Sequence, residues 1–181
     1  MEVLADEICW FAMRDLKRAN AKLPAYKQLS EAGFEVFTPM TTRVATVRGR
    51  RVKQRVPYMS DLLFVHTNRA ALDPIVARTD TLQYRYAKGQ GYCTPIVVRN
   101  AEMDTFMHFI RTTDEVTYYH PDEITPSMYG RLVRLVCDGP LDGYECRLLC
   151  ARGTTRRRIL IQLSGLLSAA IEINPSYIQL L

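Results

Sequence analysis

Two Leu- and Val-rich runs, Leu132 to Val136 and Tyr144 to Cys150, flank Gly139-Pro140-Leu141-Asp142-Gly143. That order calls for a strand, a tight turn and a returning strand, because Gly and Pro punctuate the chain where alternating apolar residues stop. The surroundings constrain the fold further, since nothing after residue 123 repeats with a helical period. Arg158–Leu163, Ala169–Ile173 and Tyr177–Leu180 complete a set of five short strands joined by Gly, Ser, Asn and Pro turns. Five short strands in about 60 residues predict a small closed barrel, because closure removes the edges along which strands aggregate.

The residues before this all-β segment are patterned differently. Ile8 to Met13 is an apolar run short enough to be a strand buried on both faces. From Leu16 to Ala32, apolar residues at 16, 19, 23, 26 and 29 predict a helix ending at Gly33 and kinked at Pro24, with Lys17, Arg18, Lys22 and Lys27 opposite. Phe34 to Pro39 alternates as a strand, and Thr42 to Val56 as a hairpin with Arg48-Gly49-Arg50 at its tip. Leu62 to Val65 is a buried strand, Ala70 to Ala77 a short helix, Leu82 to Ala87 and Ile96 to Arg99 extended, and Ala101 to Ile110 a last helix. This order predicts an α+β fold, a sandwich of helices against a mainly antiparallel sheet.

Charge and composition divide the chain and narrow its function. Residues 1–111 hold 17 Lys/Arg and 11 Asp/Glu, residues 112–122 three acids and no base, and residues 123–181 seven bases and five acids. The acidic strip has little periodicity and ends at a proline, so it is expected to be a linker between domains at 1–111 and 123–181. Six bases and no acid fall between Arg43 and Arg55. Arg48, Arg50, Arg51 and Lys53 lead this cluster as candidates for nucleic-acid phosphate, through counterion release. Arg14, Lys17 and Arg18, with Lys22, form a second candidate surface, and Arg156-Arg157-Arg158 a third. No apolar run reaches the roughly 20 residues a membrane helix needs, and residues 1–7 lack a signal-peptide pattern, so a cytoplasmic protein with no membrane partner is expected.

Together these features resemble the NusG family of transcription elongation factors. Trp10-Phe11-Ala12 stands where that family opens with a Trp-Tyr or Trp-Phe strand. Pro57 to Val65 stands at its Phe-Pro-Gly-Tyr-Val-Phe-Val-like strand, and Gly139, Pro140, Gly143 and Glu145 at the turn of its KOW motif. The resemblance implies an NGN-type domain followed by a five-stranded, SH3-like KOW β-barrel, and is strongest to the specialised antiterminators of the RfaH and UpxY kind. It implies RNA polymerase as partner, through Tyr58, Leu62 and Phe64, with DNA or nascent RNA nearby. It further implies a ribosomal protein or the termination factor Rho for the barrel. The chain departs from the family in two places: Ser60-Asp61-Leu62 replaces Pro-Gly-Tyr, and Cys146 stands where the motif usually ends in glycine. A KOW-type RNA-binding or ribosome-associated module without polymerase is the alternative.

No catalytic residue, metal ligand or cofactor is expected. Five scattered cysteines form no CxxC pair, His66, His108 and His120 are far apart, and Gly89-Gln90-Gly91 lacks the further glycine of a dinucleotide loop. A small hydrolase built on Cys9 or Cys93 and a histidine is the most distant alternative.

Overall fold

The computed structural model describes residues 6–18, 20–87, 94–111, 113, 116–137, 141–150 and 157–181. The chain divides into two compact units, Met1–Asn100 and Ala101–Leu181.

In the first unit β1 (Cys9–Asp15) is the middle of an antiparallel sheet. It pairs on one side with β5 (Leu62–Thr67), which carries β2 (Glu35–Phe37) on its far edge. On the other side it pairs with β6 (Leu82–Tyr84) and β7 (Val97–Val98). Strand parity sorts the side chains. Cys9, Phe11, Met13, Leu63 and Val65 share one face and pack with Ala25 and Leu29 of helix α1 (Ala25–Glu31) and Leu72 of α2 (Arg69–Arg78). The opposite face carries Trp10, Ala12, Leu62, Phe64 and Val98, also buried. A sheet apolar on both faces explains why β1 and β5 read as continuous apolar runs rather than alternating ones.

The helix predicted over 16–32 is shorter than its pattern. Among the described residues of this range only Ala25–Glu31 is helical, because Pro24 sits at the N-cap with φ −66° and ψ 158° and forces Leu23 before it away from helical geometry. The buried Asp15 carboxylate takes up the freed backbone: Oδ2 accepts the Ala25 N–H at 2.6 Å and Oδ1 the Lys17 N–H at 2.9 Å. The extended run predicted over 82–87 is also shortened, to β6 and an isolated bridge between Tyr86 and Pro95.

Among the described residues, strands β3 (Met40–Val47) and β4 (Arg50–Pro57) pair only with each other, as a separate two-stranded sheet. Arg48 (φ 50°) and Gly49 (φ 77°) form its two-residue turn. Two successive left-handed residues match the twist of a tight hairpin, and Gly49 enters that region without a Cβ penalty.

The second unit includes α3 (Asn100–Arg111) from its second residue onward and a six-stranded antiparallel sheet. The sheet runs β13 (Ile178–Leu180), β9 (Tyr129–Leu135), β10 (Glu145–Leu149), β11 (Arg158–Leu163), β12 (Leu167–Glu172) and β8 (Val116–Tyr119). The five predicted strands are all present, and β9 and β10 pair as the predicted hairpin. The predicted five-stranded closed barrel is not what forms. A sixth strand, β8, pairs with β12, and among the described residues no pairing joins β8 to β13 to close the sheet. That strand lies in the strip expected to be a linker, where Val116-Thr117-Tyr118-Tyr119 has the β-branched and aromatic composition of a strand and buries Tyr118. Val133, Leu135, Cys146, Ile159, Ile161, Leu163 and Ile171 are buried in this unit. From α3, Phe109 meets Tyr144 edge-on at 5.2 Å, and Glu102 Oε1 accepts the N–H and Oγ–H of Ser164 at 2.6 and 2.8 Å.

Candidate nucleic-acid interface

The β3–β4 register separates the hairpin into two faces. Met40, Thr42, Val44 and Thr46 oppose Pro57, Arg55, Lys53 and Arg51, which places three cations in a row on one side. Arg43 and Arg50 lie on the other side with Ala45, Val47 and Val52, and Arg48 sits at the tip. All six cations are exposed. Alternate residues of a strand are about 7 Å apart, so neighbouring cations of the row repel by about 0.6 kcal/mol at the dielectric of water. Polyanion binding would relieve that repulsion, and no acid within 40–57 does so.

The second predicted basic surface is dispersed. Arg14 is on β1, with Nε 3.4 Å from Asp61 Oδ2, and the same oxygen accepts from Arg85 Nη2 at 2.8 Å. Lys17 donates from Nζ to the Leu23 carbonyl at 3.0 Å and to Gln28 Oε1 at 2.9 Å. Arg18 is exposed, but none of the three stands on a helix. Asp15 and Asp61, which organise this region, carry no helical or strand spacing that would single them out in the sequence.

Leu62 and Phe64 do share a face, as alternation requires, and both are fully buried; the Phe37 ring lies 6.0 Å from that of Phe64. A partner cannot touch them in this conformation. Tyr58 is half-buried, its N–H donated to the Pro39 carbonyl at 2.8 Å. On the same face Trp10 stacks on His66 at 4.8 Å, and His66 Nδ1 lies 2.7 Å from Glu35 Oε2.

Gly139 and Pro140 lie outside the described residues, as do Gly89-Gln90-Gly91, Cys93 and Arg156. Gly143 has φ 75° and donates its N–H to the Leu135 carbonyl at 2.9 Å, and Glu145 pairs with Arg134 at 2.7 Å. Cys146 is an ordinary β10 residue opposite Val133, without positive φ, so this position requires no glycine. Burial pushes its thiol up to about 11, which keeps it protonated and inert at neutral pH. Among the described residues no group of three His, Cys, Asp or Glu gathers for a metal, and no helix is long and apolar enough to cross a membrane.

The family model for the transcription termination factor NusG matches residues 8–107, more than half of the chain. The protein belongs to the NusG family. NusG proteins are transcription factors without enzymatic activity and typically bind RNA polymerase. The NusG match runs from β1 through the hairpin and both helices of the first unit into α3. No curated protein matches the chain significantly in sequence.

Proposed function

We propose that this NusG-family protein is an elongation and antitermination regulator of the RfaH and UpxY kind, acting on specific operons in the cytoplasm. The family match over residues 8–107 carries the proposal. In it the first domain, 1–111, binds RNA polymerase, and the hairpin cations hold DNA or nascent RNA by backbone charge. The segment 123–181 serves as a KOW-type module that recruits a ribosomal protein or Rho. Such a factor needs no chemistry. It favours elongation to the extent that it binds the elongating complex more tightly than the paused one.

Tyr58, Leu62 and Phe64 form the proposed polymerase contact, and the burial of the last two means that binding must first uncover their face. Co-purification with the full chain tests the partner: polymerase subunits should be recovered, and fewer with Tyr58→Ala. Ribosomal RNA without polymerase would overturn the proposal in favour of a ribosome-associated module. The triple variant R48S/R50S/R51S should reduce the slope of log K against log salt by about 2 to 3, at roughly 0.7–0.9 per lost phosphate contact. An unchanged slope removes the hairpin from the interface.

A further inference from the structure

At the foot of the hairpin Tyr26, Ser30, Val36, Thr38, Met40 and Arg55 line a pocket of about 290 Å³. Thr38 Oγ1 is buried and has no hydrogen-bond partner among the described residues. A buried hydroxyl left unpaired is destabilising, so a ligand that accepts a hydrogen bond from Thr38 is favoured here. The lining has no carboxylate. It offers three hydroxyls and a guanidinium over an apolar floor of Val36 and Met40, a donor set that suits an oxyanion. Arg55 ends the row begun by Arg51 and Lys53 on the same face of the ribbon, so the pocket lies where that row meets the body of the first unit.

From these observations we infer that the pocket seats one phosphate of a nucleic-acid backbone whose neighbouring phosphates run along Lys53 and Arg51. The row supplies diffuse charge, and the pocket fixes the register of the strand. The inference rests on the hairpin's role proposed above.

Fluorescence anisotropy of the full chain with a short single-stranded oligonucleotide, over a salt series, tests it. Thr38→Val keeps the branched shape and removes the hydroxyl. It should weaken binding about tenfold, as loss of a hydrogen bond to a charged group does, without lowering the melting temperature, because it also removes the unpaired hydroxyl, while Thr38→Ser retains wild-type affinity. Arg55→Gln should weaken binding at least as much. If T38V and R55Q bind like wild type while R48S/R50S/R51S loses salt sensitivity, the pocket is overturned and the hairpin's role survives. If wild type shows no salt-sensitive binding, both fall. Inorganic phosphate competing as well as the oligonucleotide, at equal phosphate concentration, would make this a small-anion site and overturn the nucleic-acid assignment.

Discussion

Two strand pairs of the first unit, β1–β5 and β3–β4, are of similar length and opposite physics. In the sheet around β1, residues 9–13 and 62–65 are buried whichever way they point, so both faces are apolar. In the β3–β4 ribbon no side chain is buried and most are exposed, with Val44, Val47 and Val52 uncovered beside the cations. A two-stranded ribbon with no packed face is marginal by itself in water. Its persistence here owes more to turn geometry and cross-strand pairing than to burial, which leaves its side chains free for a partner.

Truncation should separate the two sheets most sharply. Phe64→Ala is expected to cost about 3–5 kcal/mol, as large-to-small changes in a packed core do, read as a drop in denaturation midpoint at constant m-value. A loss under 1 kcal/mol would mean that the second face of the sheet is not packed in solution. Titration gives a smaller contrast. The Cys9 thiol, on β1, is pushed up from 9.0 to about 11, first by burial and then by the nearby Glu7 charge. The unfolded chain releases this proton near pH 9 and the folded one later, so the stability it contributes is full below pH 9 and is lost as pH rises toward 11. Cys9→Ser should flatten that alkaline decline in urea melts, and an undiminished decline would place its origin elsewhere. The smallest effect belongs to the ribbon. Val44→Thr, at a residue 64 % exposed, should change stability by no more than about 0.5 kcal/mol; a larger loss would show that something covers this face.

What could be read from the sequence follows the same division. Strand positions were legible where period two or a short apolar run met a Gly or Pro boundary, as for β1, β5, the hairpin and all five strands predicted after residue 123. The first helix is shorter than its spacing suggests, because Leu16, Ala19 and Leu23 have helical spacing while Pro24 and the Asp15 carboxylate decide where a helix can start. Strand β8 was missed because four residues beside a run of acids show too little pattern, and its pairing with β12 is a long-range event. The cations of the candidate interface were visible by composition. Thr38 was not, since an unpaired hydroxyl is a property of packing. The continuous apolar run at 62–65 marks Leu62 and Phe64 as buried, but alternation fixes only which residues share a face and leaves open what covers it.

Asp15 has a consequence for how this chain tolerates change. Its two oxygens hold the N–H groups of Lys17 and Ala25, so the segment between them leaves and rejoins the body of the unit at a single carboxylate. A loop anchored in this way can be lengthened cheaply, at about 0.6 kcal/mol for each doubling, without shifting β1 or α1. Insertions among residues 20–23 are therefore expected to add or remove positive charge beside β1 while the melting temperature of the unit stays as it is.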